Sequence, residues 1–213
     1  MRTILFNNFN WEVKDSSSIK VGPGPNYFSS SEENVYVDTG GLHLKTTFRD
    51  GKYNCAEVIL DKPLGYGVYK FGLKNDLSSL DKNAVFSGFL YESDSKEIDI
   101  EYSGSMVGKN KGQYVLQPSK KSINVFKFKR SGSEYLSHVI TWNKVYVKFE
   151  CFESTNIYGE NAIKINEFLY IGKDNPPPDK ARMIFNLWFY KGKTPKKVNS
   201  VNIINFTFEE EKN

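Results

Sequence analysis

The sequence predicts an all-β sandwich or barrel, and three observations carry that prediction. Short runs that alternate apolar with polar residues, or that are rich in Val, Ile, Tyr and Phe, recur along almost the whole chain. Turn signals such as Gly40-Gly41, Asp50-Gly51, Gly104, Gly132 and Gly159 separate them at the close spacing these folds use. No stretch has the period of an amphipathic helix, and "NDLSSLDKN" offers one short turn. At 213 residues the chain is long for one domain but ordinary for a single β-sandwich, so one domain over residues 1–213 is expected.

In chain order the strand candidates are "VYVD", "LHLKTTF", "YNCAEVIL", "YGVYKFGLK", "NAVFSGFLY", "KEIDIEYS", "GQYVLQP", "INVFKFK", "LSHVITW", "KVYVKFECF", "AIKINEFLYI", "RMIFNLWFY" and "VNIINFTF". Two long loops interrupt them, "DSSSIKVGPGPNYFSSSEEN" and "KDNPPPDKA". The first is the better functional candidate. Its Gly-Pro-Gly-Pro segment stiffens the backbone ahead of Asn26, Tyr27 and Phe28.

The charge balance argues against a nucleic-acid binder. Twenty-nine basic and 25 acidic side chains leave a net +4, spread along the chain rather than gathered in a tail. In "SKKSINVFKFKR" the phenylalanines 126 and 128 alternate with Lys127 and Lys129, which predicts buried rings and solvated lysines rather than an anion-binding patch. Cys55 and Cys151 lie far apart in apolar runs; they could pair in an exported protein or remain buried thiols. No metal-ligand spacing surrounds them or the two histidines, His43 and His138, which are expected on strand surfaces. The N-terminal apolar run is too brief for a signal peptide, and no segment approaches membrane-spanning length. A soluble protein is therefore expected, any leader lying outside this sequence.

The functional candidate is "SDSKEIDIEYSG". On a pleated strand Glu97, Asp99 and Glu101 point to one face, while Ile98 and Ile100 point to the other. An amphipathic strand with an acidic face reads the same way. Three aligned like charges, however, repel one another, and the one nearby lysine, Lys96, points to the opposite face. Glycoside hydrolysis uses such carboxyls, with a retaining mechanism placing two of them about 5 to 5.5 Å apart. Four residues at about 3.3 Å rise separate the Cα atoms of Glu97 and Glu101 by roughly 13 Å, and side chains leaning about 4 Å each leave about 5 Å. Crowding also raises at least one pKa, so that one glutamate stays protonated as the acid, and the cluster titrates as a coupled unit. On the next strand Gln113 and Gln117 share a face and offer groups suited to sugar hydroxyls.

These residues resemble glycoside hydrolase family 16, the laminarinase, lichenase and xyloglucan transglycosylase group. The family motif E-[apolar]-D-[apolar]-E is matched at Glu97, Asp99 and Glu101, without the extra residue of the laminarinase branch. "NCAEVILDKPLGYGVYKFGLK", "GQYVLQP", "HVITWNKVYVKFE" and "ARMIFNLWFYKGKTP" are similar to flanking family segments in the same order, over about residues 20 to 208. The resemblance implies a jelly roll of two curved antiparallel sheets with glycan across the concave face. It implies Glu97 as nucleophile, Asp99 as its hydrogen-bonding helper and Glu101 as general acid/base. Trp188 would stack on a sugar ring, with Asn186 on the same face, Glu57 touching substrate hydroxyls and Asn26 in the cleft. A monomer with a polysaccharide substrate, an extracellular setting and no cofactor is expected; a structural calcium is common in the family, without a ligand signature here.

The sequence also departs from the family. Ser95 and Lys96 stand where many members have an aromatic and an acidic or amide residue, and Ile59 stands where an arginine is frequent. The usual cysteine partner near the first loop is absent from "NYFSSSEEN". The primary expectation is an endo-acting retaining hydrolase of a β-linked, β-glucan-like polysaccharide. Its rivals are a non-catalytic carbohydrate-binding module and a transglycosylase, the latter sharing the covalent intermediate.

Overall fold

Alternation along the chain produces strands throughout. A computed structural model of the protein describes residues 1–74, 77–108, 111–156 and 160–211. The predicted turn at Gly159 and the first two residues of "NDLSSLDKN" lie outside the described residues; Leu77–Ser79 of that segment form one turn of 3-10 helix.

The strands are β1 (Arg2–Phe6), β2 (Phe9–Val13), β3 (Tyr27–Phe28), β4 (Val35–Asp38), β5 (Gly41–Lys45), β6 (Thr47–Arg49), β7 (Lys52–Leu60), β8 (Gly67–Lys74) and β9 (Ala84–Ser93). They continue as β10 (Lys96–Ser103), β11 (Lys111–Leu116), β12 (Val125–Lys129), β13 (Tyr135–Trp142), β14 (Val147–Ser154), β15 (Ile163–Tyr170), β16 (Arg182–Phe189) and β17 (Ser200–Glu210). A short α-helix, Gly104–Val107, follows β10, with Ser103 Oγ accepting from the Met106 amide at its start.

The result is a jelly-roll sandwich. The larger sheet runs β1-β2-β7-β16-β9-β10-β11-β12, with β3 and β6 also pairing with β7, and the smaller runs β15-β14-β13-β8-β17-β5-β4. All ladders are antiparallel except the short β3–β7 pair. Neighbours in space are thus distant in sequence, so β16 brings residues near position 186 between β7 and β9.

Period-2 alternation assigns each side of the larger sheet. Ile98, Ile100 and Tyr102 of β10 and Phe185 and Leu187 of β16 are buried in the core between the sheets. There Phe71 of β8 meets Phe185 edge-on at 5.0 Å, and Trp11 meets Phe206 at 5.1 Å. Gly88 permits the first contact, since a Cβ there would stand 2.8 Å from the Phe71 ring. The residues of opposite parity, Glu97, Asp99 and Glu101 among them, face away from the core.

Two expectations change at this level. His138 does not line a surface: it shares parity with Leu136, Ile140 and Trp142 of β13 and is fully buried, within 3.0 Å of the Tyr102 hydroxyl. Phe126 is not buried either, because β12 is the edge of its sheet and leaves this ring 36% exposed beside Phe168, while Phe128 is buried as expected. Cys55 and Cys151 are both buried free thiols.

Candidate active site

Five adjacent strands of the larger sheet build the site through register. β10 pairs with β9 so that Glu97, Asp99 and Glu101 lie opposite Tyr91, Phe89 and Ser87. β9 in turn sets Ser87 beside Asn186 and Phe89 beside Ile184 of β16, and Asn186 faces Glu57 of β7. On the other flank Glu101 faces Gln113 of β11. One transverse row therefore runs Glu57, Asn186, Ser87, Glu101, Gln113, all on the outer face of the larger sheet. The register shift of β10 against β9 falls between Lys96 and Glu97, so the carboxylates themselves sit on a regular ladder.

Above this row lies a cavity of about 350 Å³, within the range of small-ligand sites. Its floor holds Glu97, Asp99, Glu101, Glu57, Asn186 and Trp188, and its walls include Tyr91, Asp94 and the Gly22-Pro23 loop. Trp188 lines the cavity but is only 9% exposed, so little of its indole is open to a ligand.

Burial and mutual repulsion set the protonation of the carboxylates. Glu97 is pushed up to about 8, first by desolvation, then by the charges of Glu101 and Asp94, against a stabilising hydrogen bond from Gln117. Asp99, 5% exposed, is raised well above the usual carboxylate range by burial and by both glutamates. Glu101 is also raised by burial, but two donors oppose the rise: Gln113 Nε2 at 2.5 Å and the Asp99 carboxyl. No N–H or O–H donor among the described residues meets Asp99 Oδ1. A proton held by Asp99 and offered to Glu101 makes that contact attractive. The Asp99 carboxyl thus interacts with Glu101 and also feels the charge of Glu97, the residue that the family resemblance has it assist.

The second carboxylate of the row is held differently. Glu57, its side chain 4% exposed, accepts from Lys14 Nζ at 2.7 Å and from Asn186 Nδ2 at 3.2 Å. Lys14 also donates to the Gly22 carbonyl at 2.8 Å, which ties the first long loop to the cleft. Gln113 of β11 acts on Glu101, and Gln117, one residue past the end of that strand, acts on Glu97; neither is part of the cavity lining. Asn26 lies outside the cavity as well: its amide is committed to the Pro23 and Phe189 carbonyls, at 2.8 and 2.9 Å. It shapes the loop that walls the cleft.

Lys14, Ser87, Phe89, Tyr91 and Asp94 are site residues beyond those expected from sequence. Alternation in "NAVFSGFLY" carries the signal for three of them, since Ser87, Phe89 and Tyr91 share one parity. For Lys14 the signal is absent, because its contact depends on β2 leading into the loop beside β7. Among the described residues no group of three or more His, Cys, Asp or Glu side chains is arranged to hold a metal ion.

No protein-family model and no curated protein sequence matches the chain. Solved structures do match its fold. A Bacillus licheniformis β-glucanase superposes with a TM-score of 0.66 at 19% identity, covering 97% of this chain and 96% of its own. A glycoside hydrolase family 16 endo-glucanase from Bacteroides ovatus gives 0.67 at 13% identity, covering 93% and 94%. A Mycobacterium tuberculosis immunostimulatory antigen described as a pseudo β-1,3-glucanase gives 0.62 at 18%, covering 92% and 90%. At these identities the likeness establishes that the chain shares the fold of the family 16 glucanases over nearly its full length.

Proposed function

We propose that this protein is a retaining endo-glycoside hydrolase of the family 16 type, acting on a β-linked polysaccharide. The observation that carries the reading is the set of Glu97, Asp99 and Glu101 on one face of β10, on the floor of a cavity, with Gln113 acting on Glu101 from β11 and Gln117 acting on Glu97 from just past it.

In this reading the chain lies across the outer face of the larger sheet. Glu97 attacks the anomeric carbon while Glu101 gives its proton to the departing glycosidic oxygen, leaving a covalent glycosyl-enzyme. Glu101, now a carboxylate, takes a proton from water as that water attacks the same carbon, which frees Glu97 and restores the original configuration. The proton that Asp99 shares with Glu101 supplies the acid. Glu97 must lose its own proton before attacking, and with its pKa near 8 the rate rises with pH through the neutral range. Glu57 and Asn186, locked to each other and to Lys14, present fixed acceptors and donors to sugar hydroxyls.

The test is reducing-end release from β-1,3, mixed-linkage, xyloglucan and galactan polymers by wild type and Glu97→Gln, with product configuration followed by proton NMR. Release by wild type alone, with retained configuration, supports the reading; inverted products or release by both proteins refutes it. A second reading, a binding module, is favoured by the pseudo-glucanase among the fold relatives. Binding to one of these polymers without cleavage of any selects it.

A further inference from the structure

Charge changes sign along the loop that walls the cleft. Gly22 and Pro23 line the carboxylate cavity, whereas Pro25, Asn26 and Tyr27 line a second cavity of about 330 Å³ at the end of β16, next to Trp188. Asn26 ties the two together through its bonds to the Pro23 and Phe189 carbonyls. Pro23 and Pro25 are two residues apart, which places the cavities within about 7 Å of each other along the chain.

The first cavity contains five carboxylates, those of Glu57, Asp94, Glu97, Asp99 and Glu101, and one ammonium, that of Lys14. The second contains three lysines, Lys20, Lys52 and Lys193, and no Asp or Glu. None of those three lysines makes an ion pair among the described residues. Lys20 and Lys52 instead stand over the Tyr27 ring, 5.5 and 5.0 Å from its centroid. Phe48, 59% exposed, packs on Tyr53 at 4.8 Å and completes an aromatic surface on the same cavity. Lys52 also donates to Ser18 Oγ at 2.8 Å, and lysines without a carboxylate partner beside the exposed Phe48 and the half-buried Tyr27 and Tyr53 match a ligand with an apolar face and an anionic edge. A sugar bearing a sulfate ester or a carboxylate has that form.

We propose that this second cavity is a subsite for an anionic sugar of the same polysaccharide chain that lies across the carboxylates. The proposal rests on the glycan-cleft reading above. The three lysines also set the register: a charged sugar is drawn to the second cavity, so a neutral unit lies over Glu97, Asp99 and Glu101 and the charged unit lies past Trp188.

The test is calorimetric binding of sulfated, uronate-bearing and neutral β-linked oligosaccharides of equal length to wild type and to the Lys52→Gln/Lys193→Gln double variant. Near-UV circular dichroism verifies that the variant is folded. Wild type is expected to bind one anionic series at least ten-fold more tightly than the neutral one, with the preference weakening as salt rises and falling to under three-fold in the variant. The series that is preferred tells sulfate from carboxylate. Equal affinity for all three series, or a preference that survives in the variant, overturns the proposal. An anionic preference without release of reducing ends leaves the subsite standing and refutes only the hydrolase reading. Release from neutral polymers without any anionic preference does the reverse.

Discussion

Gln113 and Glu101 face each other across the β10–β11 ladder, and the Gln113 amide donates to Glu101 Oε2 at 2.5 Å. This donor favours the ionised form of a buried carboxylate that its surroundings otherwise push toward neutrality.

Replacing Gln113 by leucine removes the donor and leaves a shorter, apolar side chain of comparable bulk. The Glu101 carboxyl then rises further, so the alkaline limb of the rate profile moves to higher pH. A hydrogen bond to a charged group is worth about 1.5 to 3 kcal/mol, which sets the expected loss in kcat/KM at roughly ten-fold or more. A pH–rate series of wild type and Gln113→Leu measures both effects, and an unmoved alkaline limb removes Gln113 from the proton balance of Glu101.

Glu97 couples the site to stability. Its folded pKa, about 8, lies above the ordinary carboxylate value of 4.5, so the folded state holds the proton more tightly than the unfolded state does. The resulting stabilisation is complete below pH 4.5 and is lost as pH rises toward 8. Glu97→Gln has no such proton to lose. Its stability relative to wild type should therefore rise between pH 5 and 8, by at most on the order of 5 kcal/mol from the size of the shift, and its thermal midpoint should gain on that of wild type over the same range. Parallel melting curves at pH 5, 6, 7 and 8 check this, and a constant difference across them would contradict it.

The residues that were legible from sequence are those fixed by period-2 alternation on one strand. Glu97, Asp99 and Glu101 share a face because of their spacing alone, and the same rule sets Asn186 beside Trp188. The rule also applied to His138, whose parity with Leu136, Ile140 and Trp142 points inward; its polarity argued for the surface, and the Tyr102 hydroxyl as a buried partner could not be foreseen. Pairings between strands are of another kind. Glu57 meets Asn186 because β16 inserts between β7 and β9, and Lys14 meets Glu57 because the chain leaves β2 alongside β7. Such contacts depend on sheet order and register, which local periodicity does not carry. Asn26 was displaced from the cleft for a similar reason, its donors being taken by carbonyls of two distant segments.

Lys14 is the cation beside the buried Glu57, and removing it exposes that dependence. Lys14→Met leaves a carboxylate with Asn186 as its remaining side-chain donor. Breaking a buried pair on one side costs about 3 to 5 kcal/mol, and the partial exposure of Lys14, 24%, reduces the expectation to about 2 kcal/mol. The double variant Lys14→Met/Glu57→Gln should recover most of that loss, because no unpaired charge remains. Urea unfolding of the four proteins in the cycle gives the coupling; additive single effects would show that the pair contributes nothing.

Acid stability follows from His138. The imidazole is buried between the sheets, with Nε2 3.0 Å from the Tyr102 hydroxyl and 3.9 Å from Cys151 Sγ, and with no partner for Nδ1 among the described residues. Burial lowers its pKa from 6.5 to about 3, so it is neutral in the folded protein. The unfolded chain takes up a proton at this position below pH 6.5 and the folded chain does not, so stability falls as pH drops from 6.5 toward 3. The shift corresponds to at most about 5 kcal/mol over that interval. His138→Gln can still meet the Tyr102 hydroxyl but cannot titrate. It should be less stable than wild type at pH 7 by about 1 to 3 kcal/mol, through altered packing and hydrogen bonding. Its disadvantage should then shrink or reverse by pH 4. Urea unfolding at pH 7, 5.5 and 4 measures the difference, and parallel pH dependences for the two proteins would rule out His138 as a source of acid sensitivity.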